Sequence, residues 1–520
     1  MRTFCFALLL SLWMFACGTD SEGPGPDEIQ GRMLIVAADS LTEAAEAYRD
    51  FREETGFDVE FATSGELDAV RGGSSLESAL HDRIVRFVEA AQEGDRSFVL
   101  LIGKPDVREP DNPLWLPLGH GPRGEEGDGP LADLDGDMIP EVPIGRLPMT
   151  EPAQVEAYLA RIQVHEASYK PGPWNKRMSV FAGEGGFGPE IDAALELAAI
   201  WIFESLPPDF DYRMTYAADS SDYYLPPEAW DAEYAKAYSE GSLMQPYIGH
   251  TKGSAACCEQ QRPPRRGMVT FFACSDGIYQ YGDSSISLAE DLLLREQGPV
   301  ATLAGSDLTH PYANAVLPRE LGRALLESQL PTYGEAYAQA QWDMIHNQDS
   351  LRNTLEEAAA PFLDQAPDDI LNEHLVLYNF FGDPAAATKL PPGRLRFDLS
   401  HDRLSPGGTL TVSGKAWQDL SETLMESGRV NISLQTKLNT IPGELLPRES
   451  SNHDEEICIS NHAVANDKIL VRTEVDLIDG QFSAELTLPA DATTGEIYVK
   501  LFAWDDESDA VGAELLRVVQ

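Results

Sequence analysis

The chain has 520 residues and carries 86 acidic against 38 basic side chains, a formal net charge of -48. Its length exceeds what one hydrophobic core usually supports and predicts roughly two to four domains. Such an excess of negative charge repels nucleic acid and anionic lipid surfaces, so we expect no nucleic-acid partner. The charge either keeps an exported protein soluble or favours basic substrates and divalent cations.

The N-terminal residues are typical of a bacterial export signal. An apolar run that ends at Phe15 is too short to span a bilayer as a mature helix, and Ala16 places a small residue before Cys17. We therefore predict a signal peptide over 1–16, lipidation of Cys17, and a flexible tether over 17–30. The predicted location is the cell envelope, as a lipoprotein of the outer membrane anchored through its lipid. An ordinary secretory signal and a secreted protein are the alternative.

Strand-like and helix-like segments alternate along the next part of the chain. The predicted strands are Met33 to Ala37, Phe57 to Ala62, Phe98 to Ile102, Met178 to Ala182, Asp211 to Tyr216, Leu243 to His250, Met268 to Cys274 and Val300 to Ala304. The predicted helices are Leu41 to Thr55 with Ser40 as cap, Leu76 to Val88 with Ser75 as cap, Pro189 to Glu204, Ser287 to Leu294, Leu317 to Leu326, Tyr333 to Ile345 and the region of Leu371 to Tyr378. Repeated βαβ units predict an α/β fold with mostly parallel sheets. Pro and Gly near 169–173 divide it into two α/β subdomains, over 31–172 and 173–390.

The pattern changes after the linker Pro391-Pro392-Gly393. Short alternating segments separated by Gly, Pro and Asp follow, namely Thr409 to Ser413, Val430 to Ser433, Phe482 to Leu486 and Ile497 to Leu501. This pattern predicts a small antiparallel β-sandwich over 391–520.

Four cysteines belong to the folded part of the chain: Cys257, Cys258, Cys274 and Cys458. They are too few for a disulfide framework, and two adjacent loop cysteines lack the spacing of a zinc site. Cys257 or Cys258 pairs with Cys458, or both are free; the sequence leaves this open.

Two reactive side chains end successive predicted strands. The first strand ends in His250 and the second in Cys274. Because parallel strands of an open α/β sheet place their carboxyl ends along one crevice, we expect the two side chains to meet. A thiol beside an imidazole is readily deprotonated into a nucleophile, so the pattern predicts a cysteine hydrolase. The alternative is a hydrogen-bonded histidine and a small cysteine that only packs.

Several short motifs resemble, in the same order, those of the gingipain family of cysteine peptidases. They are Asp133-Leu134-Asp135-Gly136-Asp137, Ile144-Gly145-Arg146-Leu147-Pro148, Tyr247-Ile248-Gly249-His250, Ala273-Cys274-Ser275-Asp276-Gly277 and Phe381-Gly382-Asp383-Pro384. The resemblance covers 31–390. It implies a caspase-like catalytic domain followed by an immunoglobulin-like module, endopeptidase activity on protein or peptide substrates, and no cofactor in catalysis.

The resemblance also assigns catalytic roles. Cys274 is the expected nucleophile and His250 the general base and acid. Glu184, within Gly183-Glu184-Gly185, is similar to the glutamate that orients the family's histidine; a carboxylate in a glycine-rich turn is the alternative. The backbone N–H groups of Cys274 and Thr251 are expected to hold the oxyanion.

Two positions raise questions about activity and specificity. Thr251 stands where the family has the second glycine of Gly-His-Gly. If this position needs a positive φ, a β-branched residue is strained and distorts the oxyanion hole; a conventional backbone leaves the N–H in place. The first case makes the chain a weak or inactive homologue that binds protein or glycan. Asp192 can be set, with a gap, against the acidic residue of arginine-cleaving relatives, or it is a helix-dipole partner.

An acidic loop is the candidate metal site. Asp133, Asp135 and Asp137 alternate along it and Glu141 follows. Carboxylate oxygens at this density suit calcium, and a structural calcium would match the habits of the family. A solvated acidic turn is the alternative.

Overall fold

A computed structural model describes residues 31–167, 169–183, 189–252, 267–360, 363, 365–419, 423–448 and 454–520, except the side chains of 189–195. The predicted signal peptide with Cys17, the tether, Glu184, Cys257 and Cys258 lie outside the described residues. So does the side chain of Asp192. Within the described part of the chain, no helix combines the length and the apolar character that a bilayer crossing requires.

The first part of the structure contains every strand and helix expected there. Its strands are β1 (Gly31–Ala37), β2 (Phe57–Thr63), β3 (Ser97–Ile102), β4 (Gly119–His120), β5 (Glu126–Gly127), β6 (Ile144–Leu147), β7 (Arg177–Ala182), β8 (Asp211–Tyr216), β9 (Met244–Ile248), β10 (Met268–Phe272), β11 (Ala301–Gly305) and β12 (Tyr378–Gly382). Its helices are α1 (Thr42–Glu54), α2 (Ser64–Val70), α3 (Leu76–Glu89), α4 (Pro152–Glu166), α5 (Pro189–Glu204), α6 (Pro227–Glu240), α7 (Leu288–Leu294), α8 (Pro311–Leu326), α9 (Tyr333–His346), α10 (Ser350–Ala359) and α11 (Pro367–Leu377).

One ten-stranded sheet runs through this whole region, in the order β2-β1-β3-β6-β12-β11-β10-β9-β7-β8. Neighbouring strands are parallel except β11 and β12, which are antiparallel. The sheet therefore has two halves whose strands run in opposite directions. The carboxyl ends of β9, β10 and β11 share one edge, and the predicted α/β class with mostly parallel strands is confirmed.

Helix starts follow local capping chemistry. The Ser75 side chain accepts a hydrogen bond from the Ser78 N–H, as expected of the cap of α3. The prediction that Ser40 caps a helix was wrong, because residues Asp39–Leu41 form a 3-10 turn and α1 begins after Leu41 without a side-chain cap.

Two buried ion pairs explain two of the family-like motifs. Asp383 is fully buried and accepts hydrogen bonds from Tyr48 Oη at 2.5 Å and from Arg52 Nε at 2.8 Å. Arg146 is also fully buried and contacts the Asp128 carboxylate at 2.7 to 3.1 Å. Removing one partner of such a pair leaves an unpaired buried charge, at a cost of about 3–5 kcal/mol. These motif residues hold the sheet and its helices together.

The C-terminal domain consists of β13 (Gly393–Leu399), β14 (Arg403–Leu404), β15 (Thr409–Trp417), β16 (Ser427–Thr436), α12 (Glu455–Asn466), β17 (Ile469–Ile478), β18 (Gln481–Thr487), β19 (Gly495–Trp504) and β20 (Asp509–Val518). Its strands pair in the order β13-β15-β18-β17-β16-β19-β20-β14, and β13 also pairs with β20. Neighbouring strands from β13 to β20 in this order are antiparallel, whereas the short β13–β20 pair is parallel. The predicted antiparallel β-domain is confirmed, and α12 is an unexpected helix inserted between β16 and β17.

Hydrogen bonds at several places join this domain to the first. The Asn466 side chain accepts a hydrogen bond from Met214 N–H at 2.8 Å and donates one to Met214 O at 2.9 Å, on the edge strand β8. At the start of β20, the buried Asp509 accepts hydrogen bonds from Tyr169 Oη and from Gly172 N–H.

Candidate active site

His250 and Cys274 follow two neighbouring strands of the sheet. Strands β9 and β10 are parallel, with Ile248 opposite Phe272, and Gly249 N–H donates to Phe272 O at 3.2 Å beyond the last pair. The exposed His250 and the half-buried Cys274 line the same cavity. The strand order therefore brings an imidazole and a thiol to one crevice at the carboxyl edge of the sheet.

The turn after Cys274 is fixed by backbone geometry. Ser275 has a φ of 59° in the left-handed region, and its N–H donates to Asp307 O at 2.9 Å. A Cβ at Gly277 would lie 2.8 Å from the Cβ of Ala304 on β11, so only glycine fits this approach. The turn holds the sulfur at the end of the strand.

The glycine before His250 is also required by its surroundings. Gly249 has a φ of 155°, and a Cβ there would lie 3.2 Å from both the Cα and the N of Gly183. Gly183 N–H donates to Ile248 O at 2.9 Å. The end of β7 therefore lies directly against the histidine segment.

Thr251 adopts a conventional backbone conformation. It is not among the described non-glycine residues with a positive φ, which are Met138, Ser275, Gln329, Lys389 and Asp479. Its hydroxyl donates to Cys274 O at 2.7 Å. Thr251 would be strained only with a positive φ, and its φ is not positive in this structure.

Two backbone donors near these residues have no acceptor in the described part of the chain. Among the described residues, none accepts a hydrogen bond from the N–H of Cys274 or of Thr251. Unpaired N–H groups at such a position are what an oxyanion hole requires.

Lys252 anchors the segment that carries His250. Its backbone N–H donates to the buried Asp276 Oδ2 at 2.9 Å. Its Nζ lies 4.9 Å from the ring centroid of Tyr234, 5.4 Å from that of Tyr247 and 5.9 Å from that of Trp230. Burial lowers the pKa of Lys252, and the nearby carboxylates act against this effect.

Sequence reasoning missed Thr309, which touches the sulfur. This buried residue follows β11, and its N–H donates to Cys274 Sγ at 3.3 Å. Strand β11 is the neighbour of β10 on the side away from β9. The signal available in the sequence was the same one that found His250, namely a polar residue shortly after a predicted strand.

The cavity beside Cys274 and His250 has a volume of about 350 Å³. Its wall is mainly apolar and includes Ala182, Ala198, Ala199, Ile202, Ala218, Ile248, Leu308, Pro311 and Ala315. Glu196, on α5, contributes a carboxylate to this wall. Burial raises the pKa of Glu196, and Ser221 Oγ donates a hydrogen bond to it. The charge of Arg448 acts against the effect of burial.

The acidic loop is compact. One carboxylate oxygen from each of Asp133, Asp135, Asp137 and Glu141 lies within 4.8 Å of the others. Partial burial and the three aspartates raise the pKa of Glu141 to about 7. A divalent cation would relieve this repulsion, so the donor set fits calcium chemically.

Residues 27–389 match the model of peptidase family C25. The crystal structure of the Arg-specific cysteine proteinase gingipain R aligns at 14% identity over 96% of this chain and 99% of its own, with a TM-score of 0.51. The complex of the pro- and mature domains of RgpB from Porphyromonas gingivalis aligns at 15% identity over 94% of this chain and 100% of its own, with a TM-score of 0.50. Comparison with the curated proteins gives no match. At these identities the structural likeness shows the fold.

Proposed function

The chain belongs to peptidase family C25, a family of cysteine peptidases, and we propose that it is an exported endopeptidase with Cys274 as nucleophile and His250 as general base and acid. The main support is that the two side chains line one cavity at the ends of adjacent parallel strands.

The proposed reaction follows from these groups. His250 takes the proton of the Cys274 thiol, and the sulfur attacks the carbonyl carbon of the scissile peptide bond. The negative charge that develops on the carbonyl oxygen is held by the N–H groups of Cys274 and Thr251. His250 then gives its proton to the leaving amine, and a water molecule that it deprotonates hydrolyses the thioester. Glu184 is the proposed residue that orients His250.

A basic side chain before the scissile bond is the proposed preference. The sequence offers Asp192 as a candidate for this role, with a helix-dipole partner as the alternative. Glu196, one helical turn further along α5, supports the same preference, because it places a carboxylate on the wall of the cavity. The apolar wall would cover the aliphatic stem of a lysine or arginine side chain.

The acidic loop is proposed to hold a structural calcium ion through Asp133, Asp135, Asp137 and Glu141. Calcium would neutralise the loop and stabilise the first part of the sheet, with no part in the chemical step. The proposed location is the cell envelope, in the outer membrane, through a lipid on Cys17, and the substrates are proteins or peptides.

Peptide hydrolysis by Cys274→Ala and His250→Ala tests the proposal. Both variants should be inactive, because the two residues act as one unit. Their melting temperatures should stay near wild type, since each change removes little buried area. Cys458→Ala, which removes the free buried cysteine of α12, is the matched control and should remain active. Full turnover by Cys274→Ala would refute the assignment of the nucleophile.

A further inference from the structure

The sulfur of Cys274 is held from one side by Thr309. The Thr309 N–H donates to Sγ at 3.3 Å, and the Thr309 hydroxyl lies 3.8 Å from Sγ in donor geometry. The thiol in turn faces Thr309 O at 3.5 Å. Two donors and one acceptor of the same residue thus surround the nucleophile.

The Thr309 hydroxyl is itself part of a longer chain of hydrogen bonds. Asn314 Nδ2 donates to Thr309 Oγ1 at 3.0 Å, and Tyr378 Oη donates to Asn314 Oδ1 at 2.6 Å. All three residues are buried, with exposures of 8% for Thr309, 6% for Asn314 and 1% for Tyr378. The Thr309 oxygen accepts from Asn314, so its own proton can go to Cys274 Sγ at 3.8 Å or to the Tyr378 side chain, and a negative charge on the sulfur favours the first.

We propose that Tyr378, Asn314 and Thr309 form a donor relay that ends on Cys274 Sγ and stabilises its thiolate. Each link donates toward the sulfur, so the polarisation of one hydrogen bond strengthens the next. When the S–H bond breaks, the proton passes to His250 and the electron pair stays on sulfur, where the two Thr309 donors meet it. The Thr309 carbonyl favours the thiol, and the two donors together outweigh it.

Thr309 touches the reacting atom, whereas Asn314 and Tyr378 are positioning residues. The inference rests on the proposed role of Cys274 as nucleophile. Other titratable groups on the surrounding elements are His250, Asp276, His310, His374, Glu196 on the cavity wall and Asp307 after β11. Burial lowers the pKa of His374 to about 4, and its Nε2 accepts from His310 N–H at 2.7 Å, so it is neutral in the assay below.

The relay is tested by the rate at which iodoacetamide alkylates Cys274 in the full-length chain, followed by mass spectrometry of the peptide that contains it. Only the thiolate reacts. Thr309→Val should lower the rate at about pH 6 by about tenfold, the equivalent of about 1.4 kcal/mol, and change it little at about pH 10. Thr309→Ser, which keeps the hydroxyl, should react within about twofold of wild type.

A pair of tyrosine variants provides the second arm. Tyr378→Phe removes the first donor of the relay and should lower the rate at about pH 6 by about twofold to threefold. Tyr337→Phe is the matched control, since its buried hydroxyl donates at 2.7 Å to the backbone oxygen of Tyr378 outside the relay. It should react as wild type does.

Equal rates for Thr309→Val and Thr309→Ser at about pH 6 would overturn the relay, and so would equal effects of the two tyrosine variants. Alkylation requires no peptide substrate. If the alkylation rates change as expected but the chain hydrolyses no peptide, the relay is supported and only the proposed peptidase function is rejected.

Discussion

The hydroxyl of Thr251 donates a hydrogen bond of 2.7 Å to the backbone oxygen of Cys274. It joins the segment after β9 to the segment after β10, beyond the point where the ladder of the sheet ends. A second tie runs beside it, from Lys252 N–H to Asp276. A glycine at 251 could make neither the hydroxyl contact nor a substitute for it. We infer that Thr251 contributes to placing the proposed nucleophile and base.

Thr251→Val should lower kcat by about threefold to tenfold with KM little changed, because a net hydrogen bond contributes about 0.5–1.5 kcal/mol and this one positions the reacting groups. Thr251→Ser keeps the hydroxyl and should stay near wild type. Thr251→Gly should also be slower. Steady-state kinetics on one peptide substrate measures all three, and a faster Thr251→Gly enzyme would revive the idea of a strained oxyanion hole.

Lys252→Ala should lower the free energy of unfolding by about 1–2 kcal/mol, because the side chain loses its packing and its cation–π contacts with three rings. Lys236→Ala is the control: this residue lies on α6, as Trp230 and Tyr234 do, and its side chain is 49% exposed, so the change should alter stability by less than about 0.5 kcal/mol. Urea denaturation measures both. Equal effects would show that the aromatic surroundings of Lys252 contribute nothing specific.

Calcium at about a hundredfold excess over its Kd should raise the free energy of unfolding by about 2.7 kcal/mol if the acidic loop binds it only when folded. Asp135→Asn should remove most of this gain. Asp58→Asn, an 81% exposed aspartate outside the loop, should leave it intact. Thermal unfolding with calcium and with chelator measures the effect; no shift in wild type would identify the loop as a solvated turn.

Asp509 should make stability depend on pH, because burial raises its pKa to about 7. The unfolded residue has a pKa of about 3.9, so the folded state binds an extra proton between these values. Its contribution is therefore full below about pH 4 and is lost as the pH rises through about 7, with a slope of about 1.4 kcal/mol per pH unit. Asp509→Asn should remove that slope and the exposed Asp402→Asn should keep it, as measured by urea denaturation from about pH 4 to about pH 8. If the free energy of unfolding depends on pH in the same way in wild type and Asp509→Asn, then Asp509 is not the source of the slope.

Much of the fold could be predicted from the sequence because its elements are strongly periodic and separated by clear turn signals. Helix α5 and strand β8 have the predicted bounds. The approach of His250 to Cys274 could also be predicted, since both follow strands of one parallel set. The sequence shows the family-like motifs that contain Arg146 and Asp383. Only the structure shows that these two residues form buried ion pairs.

Other features depend on contacts that no local pattern encodes. Thr309 reaches Cys274 from 35 residues away, through the pairing of β10 with β11. The φ of Thr251 depends on how two loops meet, so the sequence left two outcomes open. The place of β12 between β6 and β11 is set by packing across the whole domain. Helix α12 was missed because the surrounding pattern is one of short strands.

The amide of Asn466 occupies the edge of the ten-stranded sheet in the way a neighbouring strand would, by pairing with both backbone groups of Met214. An open edge strand is a template for pairing with another chain. The C-terminal domain therefore also shields the first domain from self-assembly. A chain shortened to end after β12 would keep the proposed catalytic groups but expose β8. We expect such a chain to aggregate by forming intermolecular sheets.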